Sequence, residues 1–403
     1  MIALDEWRRH GAMVPACLLG MSIVAAHAYA LGVMFAPLEA EYGWSRAQIS
    51  AGPLATSIGT LLLAPFGGRA VDHFGPRRIA LVGVPMFAAC LALIGTAESN
   101  LAWIALHVLL AGALILIYPT VWTAAIAERF TANRGLAMAI ALSGTGITAA
   151  VVPVIVSRLL EAYGWRGAYA GLGALSFVVV YPAVVFLFAR GTTQAGRERA
   201  APAAQRERPP EMRSGKFIRL AGAGLIYSIC VTMLGINAVP VLMADGFDVL
   251  VAAEIAGLLG VGTIIGRLAG GLLLDRIDGR WVAIGSGMGA LGAALILLFV
   301  TQSPFAASLA CFSLGLAAGA EFDACAYLTT RHFDRRNFGA LFGTIGGLSG
   351  FGSGVAPFIG SAIYDASGGY DLVLLTMLPL LVIASALFWS LGRYPDAPDI
   401  APN

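Results

Sequence analysis

The chain has 403 residues, of which 58% are hydrophobic and only 12% are charged, and its formal net charge is +2. Soluble globular proteins carry roughly 25% charged residues, so this composition excludes that class. Apolar segments of about 20 residues recur along the chain, and each is long enough to cross a bilayer as a helix. The sequence therefore predicts an integral membrane protein that has the lipid bilayer as a partner and binds no nucleic acid.

Polar breaks divide the chain into about twelve predicted spans. The first span follows the basic stretch "WRRHG" and is apolar from about 12 to 37, too long for a cleavable signal peptide. The longest break is rich in Arg, Glu, Ala and Pro, and it predicts a linker at 191–215 between two six-helix bundles, 1–190 and 216–403. The breaks lie near 39–46, 70–78, 97–100, 126–134, 159–166, 190–216, 244–251, 274–280, 301–304, 331–337 and 363–371.

Basic residues are concentrated in alternate breaks. Because short loops rich in Lys and Arg stay in the cytoplasm, this asymmetry predicts a multi-pass protein of the cell inner membrane with both termini and the linker in the cytoplasm. The opposite set of breaks offers only Arg46, Arg158 and Arg166. Outside the linker, the basic set consists of Arg77, Arg78, Arg129, Arg134, Arg276, Arg280, Arg331, Arg335 and Arg336.

The two halves of the chain repeat each other. The segment "FGGRAVDHFGPRR" (66–78) is similar to "AGGLLLDRIDGR" (269–280), and the match aligns Asp72 with Asp275. A second echo relates 129–165 to 332–370 and aligns Pro153 with Pro357. Two repeats in the same orientation are typical of a transporter that rocks two bundles around a central site.

The repeated loop resembles a known family. "GGRAVDHFGPRR" is similar to the G-x-x-x-D-[RK]-x-G-x-[RK]-[RK] pattern of the major facilitator superfamily, with His73 at an [RK] position. The segments "EYGWSRAQIS", "RFTANRGLAMAIALSGTG" and "GVAPFIGSAIYDASGGY" resemble its monocarboxylate and oxalate–formate branch. The resemblance implies an all-α membrane protein with twelve transmembrane helices in two six-helix bundles related by a pseudo-two-fold repeat.

The resemblance also implies a gate at this loop. Gly68 and Gly75 shape it, and Asp72 is expected to engage the eleventh helix and lock the outward-facing state. Glu128 is expected to bind Arg77 or Arg78, while Asp275 and Arg276 are the counterparts in the second half. The alternative is a loop that is merely retained by its positive charge.

Arg267 lies inside the eighth predicted span, 252–274. Placing Arg at a span centre costs about 2.5–3.5 kcal/mol, so such a residue usually has a function. Its planar fork of donors fits a carboxylate, which predicts a carboxylate substrate; the alternative is an internal ion pair that fixes helix packing. The resemblance supports a substrate role, because members of the branch carry a substrate-binding Arg in this helix.

Other positions depart from the branch. Thr263 stands where relatives often have Asp or Asn, and Tyr29 stands roughly where animal members have Lys. The eleventh span lacks the second cation of the oxalate-type exchanger. One cation suits a monoanion better than a dianion.

Glu321 and Asp323, in "GAEFDACAYL" of the tenth span, lie at a depth comparable with Arg267. Residues two apart point about 200° apart on a helix, so one acid can meet Arg267 while the other faces elsewhere. Low dielectric favours the neutral form of a carboxyl group, so either acid is a candidate proton carrier. The alternative is that both are structural.

These residues suggest proton-coupled symport of a small, lactate- or pyruvate-like monocarboxylate by alternating access. An acid paired with Arg267 would be displaced by the substrate and would take up the proton. The alternatives are an organic-anion exchanger of the oxalate–formate type or an efflux carrier for amphipathic compounds. Further substrate-binding candidates are Tyr118, Tyr29, Thr263, Asn237 and Tyr327, and His27 is a further proton-coupling candidate.

No enzyme motif is present in the sequence: there is no phosphate loop, no HExxH and no nucleophile elbow. The five cysteines have no metal-like spacing, so neither a metal nor a cofactor is expected. Rows of glycine at every fourth position predict close helix packing. They are Gly262, Gly266 and Gly270 in the eighth span and Gly339, Gly343 and Gly347 in the eleventh. We expect a monomer.

Overall fold

A computed structural model describes residues 4–131, 133–188, 209–274, 276–300, 302–334 and 337–393. Ten helical segments in these ranges are long and apolar enough to cross a membrane. One of them, Arg134–Phe186, has 53 residues and breaks at Gly164, where φ is 68° and ψ is 177°, so it forms two spans. The glycine-rich helix Phe338–Ser367 adds another, which gives twelve spans within the described residues.

The spans alternate in direction and are numbered in chain order. Spans 1 to 6 form the N-terminal bundle, and spans 7 to 12 form the C-terminal bundle. The first six are Met13–Tyr42, Arg46–Phe74, Pro76–Ile94, Asn100–Arg129, 134–163 and 165–186. The second six are Gly215–Ala244, Val249–Leu274, Gly279–Phe299, Pro304–His332, Phe338–Ser367 and Asp371–Trp389.

The ends of the spans follow from local sequence. Ser45 caps span 2 in a capping box with Gln48, and a helix begins there because the serine satisfies a backbone N–H of the first turn. Glycine ends spans 1 and 11, where Gly43 and Gly368 have positive φ. The gaps between spans therefore fall at the predicted breaks. Residues 191–208 of the predicted linker lie outside the described residues, and the division at 191–215 stays a prediction.

A short helix precedes each bundle, and the two occupy matching places. Glu6 of the helix Leu4–His10 accepts hydrogen bonds from the backbone N–H groups of Thr131 (2.6 Å) and Asn133 (2.9 Å), between spans 4 and 5. Glu211, which precedes span 7, accepts one from the side chain of Asn337 (2.9 Å), between spans 10 and 11. The pseudo-repeat seen in the sequence thus extends to the contacts that hold these loops.

Glycine determines how span 8 packs. A Cβ on Gly262 or Gly266 would overlap the backbone of span 10, and a Cβ on Gly260 would overlap the backbone of span 5. The predicted close packing is thus confirmed for span 8. It is wrong for Gly343 and Gly347 of span 11, because a Cβ there would meet nothing within 4 Å. The surroundings of Gly339 lie outside the described residues.

The two bundles meet at one end. We call the end that carries Gly43 and Gly368 the Gly43 side, and the end that carries Gly75 and residues 188 and 209 the linker side. Span 2 contacts span 11 through Ser50 Oγ and Ser361 Oγ, which are 2.6 Å apart, in the half of each helix nearer the Gly43 side. Gly343, in the other half of span 11, has open space beside it. The conformation is therefore closed on the Gly43 side and open on the linker side.

Candidate functional site

A cavity of about 610 Å³ lies between the two bundles. Spans 1, 2 and 4 form one wall, and spans 7, 10 and 11 form the other. Most of the lining is aliphatic, aromatic or glycine, with hydroxyl groups between. Its polar side chains are His27, Tyr29, Thr56, Ser57, Thr60, Tyr118, Thr232 and Ser353.

Two spans are interrupted where they line this cavity. Span 1 breaks at Ala25, where φ is −99° and ψ is 7°. Span 4 passes through a 3₁₀ turn at Ile115–Ile117 and an extended Tyr118 before it resumes at Pro119. Proline has no backbone N–H and disfavours helical backbone in the residue before it, which explains the second break. Irregular backbone at membrane depth is tolerated where it lines a cavity, and it is typical of transport sites.

Three of the predicted site residues meet on the N-terminal wall. His27, Tyr29 and Tyr118 all line the cavity. His27 is 9% exposed, and its Nδ1 has no hydrogen-bond partner among the described residues. The wall therefore offers an imidazole and two phenol groups to a ligand.

Three other predicted substrate residues lie outside the cavity lining. Asn237 is buried, donates to the carbonyl of Met233 (2.8 Å) and accepts from the hydroxyl of Tyr370 (3.3 Å). The hydroxyl of Thr263 donates to the carbonyl of Leu259 within its own helix (2.8 Å). Tyr327 lies against Gly279 near the linker side. The structure does not bring these three side chains to the cavity wall.

Arg267 also lies outside the cavity lining, on the face of span 8 that packs against span 5 of the other bundle. Ile264, one turn earlier on the same face of span 8, contacts Gly146 of span 5. Arg267 is mostly buried, and its Nε is a buried donor without a hydrogen-bond partner in the described chain. Arg267 takes part in none of the ion pairs found among the described residues, such as Arg46–Glu39 and Arg166–Glu41. The expected ion pair between Arg267 and an acid of span 10 is therefore not formed in this conformation.

The two acids of span 10 face different neighbours, as their spacing predicts. Gly319 packs against the backbone N of Arg267, and Asp323 lies one turn further along the same face. Asp323 lies close enough to Arg267 for the two opposite charges to attract each other. Glu321 instead points into the C-terminal bundle, is 5% exposed, and accepts a hydrogen bond from Cys325 Sγ at 3.0 Å. Phe322, between them in sequence, lines the cavity.

The predicted gate loop at Gly75 is open. Gly75 ends span 2 with φ of 81°, and no atom lies within 4 Å of a Cβ built on Gly68. Asp72, Arg78 and Arg276 are exposed. The expected contact of Asp72 with span 11 belongs to a state closed on the linker side, which this structure does not show. Asp275 lies outside the described residues.

The expected pairing of Glu128 with Arg77 or Arg78 is wrong for this conformation. Arg77 donates to the carbonyls of Phe188 (2.8 Å) and Val185 (3.0 Å) at the end of span 6. The last carbonyls of a helix have no partner within it, so they compete well for a guanidinium. Glu128 is exposed on the surface and makes no ion pair with a described residue.

Sequence reasoning missed the group that closes the Gly43 side. Arg46 at the start of span 2 donates from Nε to Glu39 Oε1 (2.6 Å) and from its terminal nitrogen to the hydroxyl of Tyr370. Its guanidinium carbon lies 3.7 Å from the ring centroid of Tyr364. The aromatic partners belong to the C-terminal bundle, so Arg46 joins the two bundles.

A carboxylate completes this closure. Asp365 of span 11 accepts hydrogen bonds from the backbone N–H groups of Arg46 (3.1 Å) and Ala47 (2.8 Å). One bundle thus caps a helix N-terminus of the other, where negative charge is favourable. The contacting stretches are "EYGWSRAQIS" and "IYDASGGY". Their likeness to one branch was the available signal, but a single sequence does not show that they touch.

The family model of the Major Facilitator Superfamily matches residues 17–319 and 220–403. The chain belongs to this superfamily. It is a secondary transporter of the membrane and not an enzyme, and the predicted fold class is confirmed. The nucleoside transporter NupG is similar in structure, with a TM-score of 0.77, 12% identity, and coverage of 95% of this chain and 100% of that one.

Two curated relatives of this superfamily member are similar over most of its length. Monocarboxylate transporter 13 of Rattus norvegicus is 25% identical over 90% of this chain and 84% of the relative. The probable sulfoacetate transporter SauU of Cupriavidus necator is 26% identical over 83% of each. At this distance the relatives establish the family but not the substrate.

Proposed function

We propose that this transporter carries a small monocarboxylate together with a proton by alternating access. The observation that carries the proposal is Arg267, a mostly buried guanidinium at the bundle interface that has no ion-pair partner among the described residues. A buried charge without a partner is costly, so a ligand that supplies the opposite charge is stabilised there. A carboxylate fits the guanidinium with two hydrogen bonds.

The cavity supports a solute with a sizeable apolar part, and the positive charge for an anion would come from Arg267, which lies outside the cavity lining. The described lining contains no acidic, Arg or Lys side chain, and most of it is apolar. A volume of about 610 Å³ accommodates a carboxylate with a sizeable uncharged part as well as a lactate-sized one. The names of the relatives, a monocarboxylate transporter and a probable sulfoacetate transporter, agree with an organic anion.

In the proposed cycle, Asp323 is the counter-ion of Arg267. When the site is empty, the two charges attract each other across the contact between spans 8 and 10. A carboxylate that binds Arg267 takes over this role, and Asp323 then accepts a proton because an unpaired carboxylate is disfavoured in low dielectric. Anion and proton cross together, so the closed carrier holds no net added charge.

We infer that the linker side is cytoplasmic, as the distribution of arginine predicts. The structure would then be an inward-facing state of an inner-membrane protein, and the carrier would work as a monomer. Exchange of organic anions and efflux of amphipathic compounds are the alternatives. The apolar cavity wall favours efflux of amphipathic compounds over exchange of organic anions.

Counterflow in proteoliposomes tests the proposal. A panel of labelled monocarboxylates is offered with and without an imposed pH gradient. We expect Arg267→Ala to lose uptake, while Arg158→Ala, an exposed arginine of span 5, serves as the matched control and keeps it. Wild-type uptake by a folded Arg267→Ala variant would contradict the carboxylate site, and uptake that ignores the pH gradient would contradict the symport.

A further inference from the structure

One face of span 11 presents backbone without side chains to the cavity between the bundles. Gly343, Gly347, Gly350 and Gly354 all line the cavity, and their spacing places them on the same face of the helix. We call this row of four residues the glycine wall. Glycine allows another molecule to approach the backbone closely, so a solute in the cavity can lie directly against span 11 here.

The glycine wall and the N-terminal bundle enclose a wedge. A Cβ built on Gly347 would meet nothing within 4 Å, whereas one on Gly350, nearer the Gly43 side, would lie 3.9 Å from the hydroxyl oxygen of Tyr118. A Cβ on Gly354, one turn further, would overlap Ser57 of span 2. The cavity is therefore closed at Gly354 and wide at Gly347, where the missing side chains leave room for a ligand.

Rings border the wide part of the wedge. A Cβ on Gly346, next to the glycine wall, would lie 4.0 Å from the ring of Phe322 in span 10. Three prolines also line the cavity, and its aromatic side chains include Tyr29, Tyr118, Phe322 and Phe351. Aromatic rings attract one another in offset or edge-to-face arrangements. A flat ring that lies on the glycine wall can make such contacts with the surrounding side chains.

The size of the cavity also favours a ligand larger than lactate. Its volume of about 610 Å³ lies within the range of about 300–1,000 Å³ that is typical of sites for drug-sized ligands. A lactate-sized anion would leave most of the apolar wall in contact with water. A carboxylate that carries a ring would cover this wall, and the burial of apolar surface would stabilise the complex.

We propose that the glycine wall is the subsite for the uncharged part of the substrate and that it selects carboxylates with an aromatic ring over lactate-sized ones. The ring lies against Gly343 and Gly347, between Tyr118 and Phe322. Gly347 determines the selection, because a side chain there would enter the wide part of the wedge without overlapping a described neighbour. This inference rests on the proposed carboxylate transport and names the class of carboxylate.

Equilibrium binding to the purified full-length protein in lipid tests the subsite with phenylacetate, cyclohexylacetate and propionate. We expect the wild type to bind phenylacetate at least about tenfold more tightly than propionate, because the ring is buried. We expect phenylacetate also to bind about two- to tenfold more tightly than cyclohexylacetate, whose saturated ring is thicker and makes no aromatic contacts.

Substitution of Gly347 should reduce this selectivity. Gly347→Leu should lower the preference for phenylacetate over propionate by about tenfold, because its side chain occupies the place of the ring. Gly347→Ala, which adds a single methyl group, should lower the preference by a smaller factor and serves if the leucine variant does not fold. Gly285→Leu is the matched control, since Gly285 of span 9 is exposed and a Cβ there would meet nothing within 4 Å. It should keep the wild-type preference.

Two results would overturn the subsite. One is an undiminished preference for phenylacetate in folded Gly347→Leu and Gly347→Ala. The other is wild-type protein that binds propionate or cyclohexylacetate at least as tightly as phenylacetate.

Phenylacetamide separates this inference from the proposed function. If the amide binds as tightly as phenylacetate and is equally sensitive to Gly347→Leu, the carboxylate proposal fails and the subsite stands. If the wild type prefers each carboxylate to its amide but does not prefer the ring, the carboxylate proposal stands and the subsite fails.

Discussion

The closure at Arg46 provides a sharp test of how the two bundles are held. We consider Asp365→Ala, which removes the carboxylate that caps span 2 from the other bundle. Two backbone hydrogen bonds, of 3.1 and 2.8 Å, are lost when the Gly43 side is closed. Loss of an N-cap costs about 0.5–2 kcal/mol. The closed state should therefore lose about two- to thirty-fold in population relative to a state open on the Gly43 side.

Adding Arg46→Gln should deepen the effect. Its guanidinium lies 3.7 Å from the ring of Tyr364, and such a contact is worth about 0.5–2 kcal/mol. The ion pair between Arg46 and Glu39 lies within the N-terminal bundle. Its loss therefore affects both conformations equally and does not change the free-energy difference between them. The double variant should consequently favour the state open on the Gly43 side more than either single variant.

Pulsed electron resonance between two nitroxides measures this equilibrium. Leu101 of span 4 and Leu372 of span 12 are exposed near the Gly43 side in different bundles, and both accept a cysteine. The five native cysteines are buried, so the introduced pair would be labelled preferentially. We expect a longer second distance to grow in Asp365→Ala and not in Glu161→Ala, an exposed acid of span 5. An unchanged distance distribution in the double variant would refute the reasoning.

Three further outcomes follow from the packing and the cavity. Gly260→Ala should slow transport by about five- to 150-fold, because its Cβ would overlap the backbone of span 5 and overpacking costs about 1–3 kcal/mol. Gly292→Ala, whose Cβ would meet nothing within 4 Å, should match wild type in the same uptake assay. Tyr118→Phe should raise the KM by about fivefold if its hydroxyl bonds the substrate, and an unchanged KM would remove Tyr118 from the site. Arg267→Lys should bind substrate about tenfold more weakly in equilibrium binding, because a point charge does not replace the guanidinium fork; equal affinity would contradict the two-bond geometry.

The spans and their breaks could be predicted because a bilayer imposes a length and a polarity on every crossing helix. The divergence of Glu321 and Asp323 could be predicted because helical spacing alone determines it. The role of Arg46 could not be predicted, since a basic residue at the end of a span is ordinary in a loop. Its partners in the C-terminal bundle lie more than three hundred positions away in sequence.

Gly343 and Gly347 show a different limit. A row of small residues is equally suitable for a packed interface and for the wall of a cavity, and the conformation decides which one it forms. The same holds for Arg77, whose guanidinium donates to helix carbonyls instead of the expected carboxylate. A single sequence gives the chemistry of such a side chain but not its choice of partner.

Binding of a monocarboxylate and of its uncharged amide analogue tests the central claim about Arg267 most directly. The carboxylate chosen is one that the wild-type protein takes up in counterflow. We predict that the wild type binds it at least tenfold more tightly than the amide, and that Arg267→Ala binds the two equally while Arg158→Ala keeps the wild-type ratio. An undiminished preference for the carboxylate in folded Arg267→Ala would contradict the account.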